Sequence, residues 1–182
     1  MPRDGGVALG RASLSGGERI VAASAGLLVI LSRIRPWGRY TVEGFGGDDV
    51  QTASVRVWDP GAFNLLPKLA IFLSIATLSI VGMRALGLWP TLPLDTRVLY
   101  LGAGALSTLF LLITTVTGPT GFIETADFKS LEEAIEAAGG IELHKDRGVI
   151  LFVALILAAL MAYGGYLHDE QEEEDAGAPA AG

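Results

Sequence analysis

The chain contains no cysteine, which removes disulfides, thiolate metal sites and thiol nucleophiles together. Of its two histidines, His144 stands among Lys145, Asp146 and Arg147, with no nearby serine and no second imidazole to build a triad. It reads as a solvated or interface residue and not as a catalytic base. A third absence says more. Neither Val98 to Thr117 nor Val149 to Leu167 contains a single Asp, Glu, Lys or Arg, whereas a helix on a soluble protein shows charges every third or fourth residue along its wet face.

What is present is apolar and concentrated. The 182 residues are 51% hydrophobic, mean hydropathy is +0.48, and the apolar residues gather in Ile20 to Trp37, Leu65 to Trp89, Val98 to Thr117 and Val149 to Leu167. A hydrocarbon core about 30 Å thick needs roughly 20 residues of helix, and each run supplies about that many. A soluble core in a chain this short has no room to hide four such runs. A cleaved leader is disfavoured as well, because the first run ends at Ser32-Arg33-Ile34-Arg35-Pro36-Trp37 without a small-residue cleavage site. The expected fold class is therefore all-α: a four-helix transmembrane bundle, multi-pass in the cell membrane. Its spans fall at about 18–37, 65–89, 98–117 and 148–167, within a membrane domain over 16–168.

The third and fourth spans are secure by length and lack of charge. The first and second reach bilayer length only if Arg33, Lys68 and Arg84 lie along apolar surface and lift their charges to the headgroups. If the count is wrong, the first span is where it fails. Trp37 and Tyr40 fall where an aromatic belt is expected, as do Tyr163, Tyr166 and His168 at the far end. Pro67 suits a first helical turn, and Trp89, Pro90 and Pro93 are read as the stop of the second span. The short connection to Arg97 makes the second and third spans antiparallel neighbours. Thr114, Thr115 and Thr117 are expected to bond the carbonyl one turn back rather than to form a ligand cluster. Gly102, Gly104 and Ala105 in the third span, and Ala154, Ala158, Ala162 and Gly165 in the fourth, mark close helix contacts. Leu151, Leu155 and Leu157 then face lipid or bulkier neighbours.

Between the first two spans, Thr52, Ser54, Arg56 and Trp58 alternate with Ala53, Val55 and Val57 after the turn signal Gly46-Gly47-Asp48-Asp49, which predicts a short hairpin over the membrane. Asp48 and Asp49 lack the spaced oxygen ligands of a calcium loop, so no metal is assigned there. In the later loop, Phe128, Leu131, Ala134, Ile135 and Ala138 recur at helical spacing, Ser130 and Glu133 fit a capping box, and Gly139-Gly140 can end the helix. A short amphipathic loop helix is expected, with an acidic face suited to docking on protein. Residues 1–15 read as a disordered tail. So does 169–182, where Glu170, Glu172, Glu173, Glu174 and Asp175 carry much of the formal charge of −7.

With four spans, both termini share one side. Arg3, Arg11, Arg19, Arg84 and Arg97 lie there, against Arg33, Arg35, Arg39, Arg56, Lys68, Lys129, Lys145 and Arg147 opposite. That bias places the long loops in the cytoplasm, while the first helix, with three arginines before it and three soon after, does not decide. The order Ser15-Gly16-Gly17-Glu18-Arg19-Ile20, a span closing on Pro36-Trp37, and Asp59-Pro60-Gly61-Ala62-Phe63 before the next span resembles the small four-span integral membrane proteins of uncharacterised function in actinobacteria. The resemblance runs from Ser15 to His168, implies cytoplasmic termini, and brings no catalytic residue with it. Arg33 and Arg35 depart from that pattern, which is apolar at those positions.

No catalytic, cofactor-binding or metal-ligating residue is assigned, and no cofactor is expected. The function read from the sequence is that of a non-enzymatic subunit or scaffold of a membrane assembly. The alternative is a small transporter or channel component, with Arg33, Arg84 and Thr114 as its candidate groups. The expected partners are the lipid bilayer and a protein partner or second copy held through small-residue helix faces, not nucleic acid.

Overall fold

A computed structural model describes residues 14–43, 50–59, 63–88, 95–119 and 142–177, and these are mostly helical. The expected loop helix over 128–138, the turn at Gly46 to Asp49, and nearly all of the 1–15 tail lie outside them. The elements in chain order are α1 Gly16–Ile34, β1 Gly38–Glu43, β2 Val50–Val55, α2 Leu65–Ala85, α3 Thr96–Thr117, β3 Glu142–Arg147 and α4 Val149–Gly177. The four helices match the expected class, and a small three-stranded sheet, of which only a hairpin was expected, joins them.

Each helix boundary has a local cause. Ser15 caps α1 with a capping box: its hydroxyl accepts from the Glu18 N–H, and the Glu18 carboxylate accepts from the Ser15 N–H at 2.9 Å. Helix α1 stops at Ile34, short of the expected 37, because Arg35 precedes Pro36 and is forced into extended backbone at φ −112° and ψ 146°. Asn64 and Asp95 cap α2 and α3 through bonds to the Leu66 and Arg97 N–H groups. Helix α2 ends at Ala85, ahead of Trp89 and the prolines, because Gly87 takes a left-handed φ of 68°. The Gly87 N–H then returns to the Arg84 carbonyl and the Leu88 N–H to that of Met83, a Schellman closure.

The helices run alternately up and down. Gly17 of α1 meets Gly164 of α4, and Gly104 and Leu101 of α3 meet Ala162 and Gly165 of α4, so early residues of α1 and α3 lie beside late residues of α4. Glu18 likewise meets Arg84 near the end of α2. Each helix packs on two others, α4 between α3 and α1, and α2 between α3 and α1. The small-residue stripe of α4 faces inward as expected: Ala154 and Ala158 are fully buried, and a Cβ on Gly104 would stand 2.3 Å from the Ala162 nitrogen. Leu151 and Leu157 are buried too, so their neighbours are core side chains and not lipid.

Helices α2, α3 and the Val149–Leu167 part of α4 are long and apolar enough to cross a membrane, with mean hydropathies of 1.9, 1.8 and 2.3. Helix α1 has 19 residues but includes Glu18, Arg19 and Arg33, which sets it apart from those three. Helix α4 continues to Gly177, so 169–177 is helical where disorder was expected. Glu and Gln are good helix formers, and an existing helix has already met the cost of nucleation.

The sheet lies at the bundle end where α1 finishes and α4 begins. Its order is β2-β1-β3, antiparallel throughout, with Arg39 opposite Ser54 on one side and Asp146 on the other. The expected hairpin is β1–β2, and its alternation holds: Thr52, Ser54 and Arg56 are exposed, while Val55 and Val57 are fully buried. Trp37 continues the ladder beyond the strands, donating its N–H to the Val55 carbonyl and accepting from the Gly148 N–H, both at 2.8 Å.

Candidate functional site

The polar groups inside the bundle are few, and their partners can be traced. Thr114, Thr115 and Thr117 donate to the carbonyls of Phe110, Leu111 and Ile113 at 2.7–3.0 Å, the self-satisfaction expected of membrane threonines. Ser74 and Ser107 both donate to the Ala70 carbonyl, at 2.9 and 3.3 Å. The second bond crosses from α3 to α2, so a buried hydroxyl ties the two helices together.

A buried ion pair sits at the end of the bundle where α1 begins. Glu18 is only 2% exposed, and a buried carboxylate is costly unless it is paired and hydrogen-bonded. One oxygen takes the Ser15 N–H, and the other lies 3.2 Å from Arg84 Nε. Tyr100 of α3 is fully buried and turns its hydroxyl toward both charges. Three helices thus meet at one ion pair. Arg84, read from sequence as snorkelling to the headgroups, is instead the partner of Glu18, with its side chain 30% exposed. Glu18 was missed as a buried group. The Ser-x-x-Glu spacing at Ser15–Glu18 is a capping-box signal legible in the sequence, but the approach of Arg84 is a tertiary contact.

At the opposite end, Arg33 is exposed, with its guanidinium carbon 4.8 Å from the centre of the Trp58 ring. The Trp58 indole N–H donates to the Ser32 hydroxyl, and its ring meets Phe72 edge-on. Trp58 is therefore half-buried at this end of the bundle, where the aromatic belt was expected at Trp37. Trp37 itself is fully buried against Phe63. His144 is exposed on β3, in keeping with a solvated residue. Arg147 at the end of β3 donates to the Val116 carbonyl at 2.7 Å, linking the sheet to the end of α3. Asp48 and Asp49 lie outside the described residues, among which no three His, Asp or Glu side chains come together as metal ligands.

Arg33, Arg84 and Thr114 are thus dispersed between the two ends and are not brought together. The groups that do converge are Glu18, Arg84 and Tyr100 at one end, and a set of arginines beside the sheet at the other. No protein-family model and no curated protein matches the chain.

Proposed function

We propose that the chain is a four-span integral membrane protein of the cell membrane that serves as a non-enzymatic subunit or scaffold of a membrane assembly. The fourth span is α1. Its 19 residues extend about 28 Å at a rise of 1.5 Å per residue, close to the hydrocarbon thickness. Leu27, Ile30 and Ile34 on its outer face are about half exposed, as suits a lipid-facing surface. Its awkward charges lie near its ends, Glu18 against Arg84 and Arg33 against Trp58.

The observation that carries the scaffold reading is how the buried polar groups are used. The serine and threonine hydroxyls described above, together with Glu18, serve helix caps, the helix backbone or helix-to-helix contacts. A bundle that spends its polar chemistry on its own rigidity is suited to holding something else. The alanine stripe of α4 is already occupied within the chain, so a partner has the sheet and the outer helix faces to contact.

Capture of the tagged full chain at native expression level, in a mild detergent, tests this. A protein partner recovered in fixed stoichiometry is expected. Recovery of the bare chain alone, with its fold intact, would contradict the scaffold role.

A further inference from the structure

A cavity of about 480 Å³ opens where α1 leaves the bundle and α4 enters it. Its charged lining comes from separate elements: Arg35 at the end of α1, Arg39 of β1, and Asp146 and Arg147 of β3. Arg39 and Asp146 share one face of the sheet, whereas Arg147 lies on the other with Gly38 and Val55; Arg35 and Arg39 against Asp146 leave an excess of one positive charge. Arg39, Ser54 and Asp146 stand side by side across the three strands, and the bond from Arg147 to the Val116 carbonyl ties β3 to the end of α3. The cavity is therefore framed by elements that the fold locks in place.

The remaining wall is apolar and leads away from water. Pro36, Val149 and Ile150 line it, and Val149 is 76% exposed. From Val149 an exposed stripe of Phe152, Ile156, Leu160 and Tyr163 follows at helical spacing down α4. A basic chamber at the mouth of an apolar track matches a molecule with an anionic head and hydrocarbon tails. Val149 and Ile150 also begin a long helix, whose first amides have no intrahelical partner and whose dipole favours an anion. The surplus of guanidinium charge disfavours a headgroup carrying its own ammonium.

We infer that this cavity binds the phosphate of an anionic glycerophospholipid, held by Arg35 and Arg39 with its acyl chains along the exposed face of α4. Planar guanidinium groups match phosphate oxygens in charge and geometry. The site rests on the membrane reading above, because the track has meaning only in a bilayer.

Native mass spectrometry of the full chain released from nanodiscs tests it, with phosphatidylglycerol and phosphatidylcholine offered in equal amounts. The unmodified protein should retain phosphatidylglycerol preferentially. The double variant Arg35→Gln/Arg39→Gln should lose that preference by about tenfold, as expected for two charge-assisted contacts. Arg97→Gln, at the other end of the bundle, should leave it unchanged. Equal retention of the two lipids by the unmodified protein, or undiminished preference in the double variant, would overturn the proposal. Displacement of the lipid by millimolar inorganic phosphate would show a free-phosphate site instead. Alkaline carbonate extraction separates the two levels: a chain released to the supernatant defeats the membrane reading and this site with it. A chain that stays in the membrane but does not discriminate between the lipids defeats the lipid site alone.

Discussion

Replacing Trp37 by alanine should destabilise the fold by about 3–5 kcal/mol, the range for deleting a large buried aromatic side chain. Trp37 is fully buried in a cluster that also draws Leu28 from α1, Val55 from β2, Leu111 from α3 and Leu151 from α4. Its ring meets Phe63 at 76° with centroids 6.5 Å apart, and its indole N–H points to the Leu31 carbonyl at 3.4 Å. Its backbone bonds to Val55 and Gly148 survive the substitution, so the loss isolates side-chain packing. Trp37→Phe keeps most of the ring and should recover more than half of the loss. Denaturant titration in micelles, followed by far-ultraviolet circular dichroism, measures both. A cost below about 1 kcal/mol for the alanine variant would mean that Trp37 is at the lipid surface and not in the core.

The second large effect concerns two glycines that are two residues apart. A Cβ on Gly104 would fall 2.3 Å from the Ala162 nitrogen and 2.5 Å from its Cα, whereas nothing lies within 4 Å of a Cβ on Gly102. The obstruction at Gly104 is backbone, which has no rotamer to change. Gly104→Val should therefore force α3 and α4 apart, at a cost at or above the top of the usual overpacking range of about 1–3 kcal/mol. Gly102→Ala should be neutral, or stabilising by up to about 1 kcal/mol through helix propensity. Melting temperatures of the pair in one detergent read the contrast. Equal effects at the two positions would show that α3 and α4 do not cross at Gly104.

Much of this architecture is legible in the residues. Charge-free runs announce α3 and α4, small residues mark where they touch, and the alternation around Ser54 announces β2. The limits are equally physical. Glu142-Leu143-His144-Lys145-Asp146-Arg147 has no apolar alternation, so nothing local marks β3. It becomes a strand because antiparallel α1 and α4 bring Trp37 and Gly148 within hydrogen-bond distance, placing β3 alongside β1. Arg84 looks like a terminal snorkelling charge until α1 supplies Glu18. The cavity takes Arg35 from the end of α1 and Arg39 from β1, and it forms only once the sheet is in place.

The central claim is that α1 crosses the membrane as the fourth span. Because the chain has no cysteine, single variants Ala12→Cys, Asp48→Cys and Ala176→Cys can be probed one at a time with a membrane-impermeant thiol reagent in sealed cells and inverted vesicles. Four spans predict that Ala12→Cys and Ala176→Cys label from one side and Asp48→Cys from the other. Labelling of Ala12→Cys and Asp48→Cys from the same side would show that α1 does not cross, and would reduce the bundle to three spans.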